Sequence, residues 1–241
     1  MIKIGDIEAL VIRKPIKNLN LSVLPPLGRV RVSAPISIKD EVIRTLLVTR
    51  LTWIRKQQMK FQSQARQTPR DYVSGESHYY WGKRYRLDVV YEDRPSGVSI
   101  KGNERILLSV LPNTNRNKRE DIMLRWYRDE LRKVAKELIE KWQDSIGVSL
   151  NEWGIKRMKT RWGTCNQKDG RIWINLELVK KPEYCLEFII VHELTHLLER
   201  KHNDRFKGYL DVFLPQWRQR KEELNQMILS YEDWSNNAAC S

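Results

Sequence analysis

The sequence predicts an α+β protein, and three observations carry that reading. Residues 1–115 are dominated by short runs rich in Ile, Val and Leu, broken by turn residues, with one long helical period among them. From residue 116 onward helical periods dominate. Three of the four histidines then fall within one short segment, His192, His196 and His202, which begins on an apolar helical run. The expected organisation is a mostly antiparallel β part over 1–115 with one long helix, a helical part over 116–230 that carries the histidines, and a tail over 231–241 without periodicity.

Taken in order, the runs at 6–14, 19–24 and 28–34, with Pro25-Pro26-Leu27-Gly28 as a turn, read as a small antiparallel sheet. After Pro35 the period changes. Val42, Leu46, Thr49 and Trp53 lie on one stripe and Ile43, Leu47, Arg50 and Ile54 beside it, which predicts an amphipathic helix over 38–66. Its outer face carries Arg44, Arg55, Lys56 and Lys60. A polar loop at 68–77 holds Pro69 and Gly75, and strand runs resume at 79–81, 85–91, 98–101 and 105–110. Residues 119–146 form a long helix with a packing stripe of Ile122, Trp126, Leu131, Val134, Leu138 and Trp142, stopped by Gly147. Strands at 153–159 and 171–175 flank Arg161-Trp162-Gly163-Thr164-Cys165 and the turn Lys168-Asp169-Gly170. Pro182, Glu183 and Glu187 open a helix whose run Phe188-Ile189-Ile190-Val191 leads into the histidines. Asn203 or Asp204 caps a last helix with Phe206, Leu210, Phe213 and, beyond Pro215, Trp217, Leu224 and Ile228. No internal repeat is visible.

Composition bounds the setting. Lys and Arg total 44 against 30 Asp and Glu, a net charge of +14, which fits either a nucleic acid or other polyanion as partner or a solvated basic surface. Cys165, Cys185 and Cys240 are odd in number and lack CxxC spacing, so a reducing compartment fits better than a disulfide framework. The N-terminal residues lack the apolar core of a secretory signal, and no run approaches the roughly 20 apolar residues that span a bilayer. The expectation is a soluble, cytoplasmic protein with no membrane partner.

The chemistry concentrates in His192-Glu193-Leu194-Thr195-His196. On a helix, residues i and i+4 share a face, so His192 and His196 can aim neutral imidazoles at one metal ion. Zinc is the first expectation, since it takes imidazole readily and a catalytic zinc site leaves a position open. Glu193 is then the base that takes a proton from the attacking water. His78 reads as a strand or turn residue. Two residues compete to be the third ligand. Glu199 returns to the ligand face of a continuous helix but about 10 Å further along it, whereas His202 points about 120° away and binds only if the chain turns back. The cap signal at Asn203 and Asp204 requires a break nearby and favours His202. Glu199 is then a carboxylate behind a ligand imidazole or an ion-pairing residue of the turn.

Thr160-Arg161-Trp162-Gly163-Thr164-Cys165, then Ile174-Asn175-Leu176-Glu177-Leu178, then the helix with His192 and His196, and then Lys201-His202-Asn203-Asp204-Arg205-Phe206 resemble, in this order, the YgjP-like metallopeptidases. That family is grouped with the SprT-like and WLM zinc peptidases and more broadly with the zincins, and the resemblance covers nearly the whole chain. It implies a zincin-like catalytic part, one zinc held by His192, His196 and His202, and Glu193 as catalytic base. The family motif usually reads Ser-Arg-Trp-Gly-Ser-Cys; threonines at 160 and 164 keep the hydroxyls. Arg161 is a candidate for a substrate carboxylate, phosphate or oxyanion, or a structural ion pair; Trp162 and Asn175 are further candidate substrate contacts. Cys165 reads as a packed thiol rather than a ligand, and strand 171–175 as either an edge for an extended peptide or a core strand.

Three functions compete. The first is a zinc-dependent peptidase acting on protein or peptide. The second uses the same site on nucleoside triphosphates as a pyrophosphatase, an activity the resemblance also admits. The third is a non-catalytic nucleic-acid-associated protein with a structural zinc, which Glu193 argues against because a closed structural site has no use for a base.

Overall fold

The computed structural model describes residues 1–24, 28–63, 70–158 and 161–226, and its helices and strands give the mixed α+β class that the sequence periods predict. The chain divides into two compact units, one comprising Met1–Pro69 and the other Arg70–Leu229. The sequence reading drew its line at 115 instead. Strands and helix on either side of that position share one hydrophobic cluster, with Leu87, Ile106 and Leu108 packed together with Met123, Tyr127 and Leu131.

In the first unit, β1 (Ile2–Ile4), β2 (Ile7–Lys14), β3 (Asn20–Leu24) and β4 (Arg29–Pro35) form a sheet in the order β1-β2-β4-β3. It is mixed rather than antiparallel, because β2 pairs β4 in parallel and β3 fills the far edge. Alternation puts Ile7, Ala9, Val30, Val32 and Ala34 inward, where they meet Ile43 and Leu47 of α1 (Asp40–Thr49) and Ile54 of α2 (Leu51–Ser63). The single helix expected over 38–66 is thus two helices. They part at Arg50, whose ψ of 8° has left the helical range. Residues 64–66 of the expected helix lie outside the described ones.

The second unit opens with β5 (Ser77–Tyr80), β6 (Lys83–Tyr91), β7 (Gly97–Lys101) and β8 (Arg105–Val110), in the order β5-β6-β8-β7. Its pairings repeat those of the first sheet: hairpin, parallel step, antiparallel edge. The buried triplet Val30, Val32, Ala34 of β4 has its counterpart in Ile106, Leu108, Val110 of β8. The chain therefore contains a topological repeat where the sequence shows none.

The long helix α3 (Arg116–Ile146) follows, with the Asn115 side chain accepting from Lys118 N at its start and Gly147 in the left-handed region (φ 74°) at its end. A small sheet of β9 (Glu152–Lys156), β10 (Gly163–Asn166) and β11 (Arg171–Asn175), ordered β10-β11-β9, leads through a 3-10 turn (Leu176–Lys180) into α4 (Glu183–Thr195). The chain closes with α5 (Asp204–Phe213) and α6 (Trp217–Gln226), which split the expected last helix. Ile228 and 231–241 lie outside the described residues. No described helix is long and apolar enough to cross a membrane.

The apolar run of α4 is continuous because the helix passes through the middle of the core; Leu186, Ile190, Val191 and Leu194 are wholly buried. Glu187 on α4 binds three cationic or N–H donors at once, accepting from Trp142 Nε1 (3.1 Å) and Lys141 (3.1 Å) of α3 and from Arg220 (2.7 Å) of α6. Its carboxyl is held below the usual range because these donors outweigh its burial. The start of α4 is fixed from the other side. Trp81 N donates to Val179 O, and Gly82, at φ +80°, lies so close to Pro182 that a Cβ would stand 2.8 Å from the proline Cγ. Gly82→Ala should therefore cost about 1–3 kcal/mol of stability, from positive φ and overpacking together. Denaturant unfolding checks this; a loss within experimental error would mean that the turn does not clamp α4.

Candidate metal centre and cleft

A straight helix can offer one metal two ligands four residues apart, so the third must come from elsewhere. Here α4 ends at Thr195, and its last turn tightens: Leu197 N donates to Leu194 O and Leu198 N to Thr195 O. The chain then reverses. Glu199 is not among the residues with positive φ, so the reversal needs no glycine. Two bonds of Glu199 shape it instead. Its carbonyl accepts from His196 Nδ1 (3.1 Å) and its carboxylate from Lys201 N (3.1 Å). Asn203 caps α5 by accepting from Phe206 N (3.0 Å), as the sequence suggested for this position or the next.

The reversal brings His202 back beside His192 and His196, and one ring nitrogen from each lies within 4.8 Å of the others. The Nε2 atoms of His192 and His202 are 3.0 Å apart. Two nitrogens bound tetrahedrally to one zinc at about 2.0–2.1 Å would stand roughly 3.3 Å apart, so little movement separates this arrangement from a bound one. The donors suit a metal chemically as well. Burial, aided by the other two imidazoles, pushes His192 down to about 3, and burial also lowers His196, leaving both neutral as ligation requires. The bond from His196 Nδ1 to the Glu199 carbonyl selects the tautomer whose Nε2 is free. Phe206 lies under all three rings, at centroid distances of 5.0, 4.6 and 4.9 Å from His192, His196 and His202.

Glu193 is buried on α4 and reaches the cavity beside the imidazoles. Burial pushes its carboxyl up to about 8, and the Arg161 guanidinium pulls the other way. A cation held by the neighbouring imidazoles would pull in the same direction as Arg161. Gly163 packs directly on Glu193: a Cβ there would stand 2.6 Å from Oε1 and 2.8 Å from Cγ. The cavity, about 660 Å³, is lined by Arg161, β10 and the turn after it on one side and by the three histidines, Glu193 and Arg200 on the other.

Several expected substrate contacts are placed differently. Asn175 is wholly buried and structural: its Nδ2 donates to Met158 O (2.7 Å) and Arg161 O (2.8 Å), and its Oδ1 accepts from Glu177 N (3.2 Å). A side chain with both ends engaged by backbone cannot turn to a substrate. Trp162 packs against the core under Lys181 (5.7 Å) rather than lining the cavity, while Arg161 does line it. Strand 171–175 is the central strand of its sheet; among the described residues β10 and β9 form its two edges, and β10 is the one that lines the cavity. Cys165 lies outside the nitrogen cluster, and burial together with Glu193 pushes its thiol up to about 11. His78 sits in β5, buried, 3.2 Å from Glu76. Sequence reasoning gave no role at the site to Gly163 and Phe206. The first could have been suspected from a glycine inside a fixed motif, and the second from its place one turn into the capped helix after His202.

Three imidazoles around one point, two of them from a His-Glu-x-x-His helix and with the glutamate beside an open cleft, define a metallohydrolase. The chain belongs to the YgjP-like family, whose metallopeptidase domain matches residues 17–227. Among curated proteins no significant match is found. Two solved structures resemble parts of it: the metallopeptidase zymogen abylysin of Pyrococcus abyssi (20% identity, 37% of this chain and 90% of the other, TM-score 0.35) and the metallopeptidase zymogen jannalysin of Methanocaldococcus jannaschii (22% identity, 39% and 90%, TM-score 0.36).

Two outcomes are expected from this geometry. Gly163→Ala should lower kcat on the order of 10²-fold by displacing the Glu193 carboxylate, while bound metal measured by elemental analysis stays unchanged. His202→Ala should weaken metal affinity, read by competition with a chromophoric chelator, far more than Glu199→Gln, which should cost at most about 10- to 100-fold. Equal losses would count against His202 as the third ligand.

Proposed function

We propose that the protein is a zinc-dependent peptidase with His192, His196 and His202 as the metal ligands and Glu193 as the general base. The observation that carries this reading is the convergence of three imidazoles within 4.8 Å beside a buried carboxylate on an open cavity. Held by those imidazoles, zinc would supply a Lewis acid that polarises a peptide carbonyl and lowers the pKa of water toward neutrality. Glu193 takes the proton from the attacking water and delivers it to the leaving amine, a role that its place beside the imidazoles on the cavity allows. Gly163 leaves the room in which that carboxylate turns. The edge of β10, which pairs only with β11 among the described residues and lines the cleft, supports an extended peptide as the substrate, held by main-chain hydrogen bonds in register.

The test is Glu193→Gln compared with the parent protein on unfolded polypeptide and on nucleoside triphosphates. Peptide hydrolysis should fall by about 10²- to 10⁴-fold with close to one zinc retained per chain, whereas His192→Ala should lose the metal too. Triphosphate hydrolysis that disappears in the glutamine variant, with no peptide cleavage in the parent, would replace this reading with a nucleotide hydrolase.

A further inference from the structure

Apart from Glu193, the cleft carries charge of one sign. Arg161, Lys168 and Arg200 line it, and among the described residues its one lining carboxylate is Glu193. Elsewhere many cations are paired: Arg171 with Glu152 and Asp169, Arg116 with Glu120, Arg218 with Asp211, Arg220 with Glu187. Arg161, Lys168 and Arg200 form no ion pair within 4 Å among the described residues. Nearby acids are already engaged, Asp169 by Asn166 and Arg171, and Glu199 by Lys201 N. Two of the three free cations bracket the cleft strand in sequence: Arg161 precedes β10 and Lys168 follows it. A peptide laid along β10 would carry residues from either side of the scissile bond toward them, at about 3.3 Å per residue.

We propose that this cleft selects peptide segments bearing Asp or Glu on one or both sides of the scissile bond, with Lys168 and Arg200 as the charge-selecting residues. The proposal rests on the peptidase reading above and adds the substrate class. Charge of one sign in a cleft focuses the field and favours the complementary ligand, both in encounter and in register. The converse discrimination is sharper. A lysine or arginine side chain entering the cleft would meet three cations, and the only carboxylate open to it is the base itself, which an ion pair would divert from water.

The experiment uses the full-length, metal-loaded protein and a set of internally quenched peptides of equal length, identical except for flanking Asp, Asn or Lys. At low ionic strength kcat/KM should favour Asp over the isosteric Asn by about tenfold, with Lys lowest. The preference should shrink as salt shortens the screening length to about 10 Å at 0.1 M and below that at higher salt. In a Lys168→Glu/Arg200→Glu protein the order of Asp and Lys should invert; if the double variant does not fold, Lys168→Gln and Arg200→Gln should each lower the Asp-to-Asn ratio. Cleavage with an Asp-to-Asn ratio at or below one, or a ratio that survives charge reversal, would overturn this inference and leave the peptidase reading standing. No cleavage of any peptide by the zinc-loaded protein would overturn the peptidase reading, and this inference with it.

Discussion

The reversal of the chain between His196 and His202 is the constraint on which the catalytic unit depends. A helix repeats its face every 3.6 residues, so a single helix cannot surround a metal; it can only present a row. The protein meets this by ending α4 at the second histidine and folding the next residues back over it. Local bonds hold the turn: a tightened last helical turn, the two bonds of Glu199, and the Asn203 cap of α5. One of these bonds also serves the site, since the carbonyl that shapes the turn fixes the tautomer of His196. Phe206 unites turn and core, with its ring beneath the imidazoles and its body buried among α4 and α5 residues. The placement of the three imidazoles and the packing of α5 are thus one structural event.

The rest of the second unit holds α4 still. Its length is buried, its start is pinned by the β5–β6 turn against Pro182, and its flank is tied through Glu187 to α3 and α6. Buried charge contributes close by. Burial alone would raise the Glu177 carboxyl, but Lys180, Arg157 and Lys181 outweigh it and keep it below the usual range just before the helix begins. The helix side of the site is thus held by buried contacts from several neighbouring elements.

How much was legible in the sequence follows the range of the physics involved. Local signals read well: the two histidines at helical spacing, Gly147 as a stop, the Asn203 cap and the break it demands. The long helix was expected over 119–146 and runs over 116–146, yet its buried stripe includes Tyr127, Ala135 and Ile139, one residue away from the expected Trp126, Val134 and Leu138. Non-local facts did not read. Nothing in a strand's own residues says that β2 pairs β4 in parallel, and two sheets with one wiring scheme need only similar patterns of inward side chains, not similar residues, so their repetition left no trace. Asn175 misled for a related reason. A polar residue at the end of a cleft-side strand looks available for ligand until the carbonyls and N–H groups that surround it are known.

That same asparagine limits what the cleft can become. Its amide donates twice and accepts from backbone, and in doing so it ties the Met158 and Arg161 carbonyls to the strand that continues toward α4. No other side chain of its volume offers both functions: aspartate supplies acceptors but no donors, and leucine supplies neither. The position of Arg161 at the cavity is therefore encoded two steps away, in a wholly buried amide that does not line it. Remodelling the specificity of this cleft while keeping its catalytic power would have to proceed through the exposed cations and leave that amide untouched.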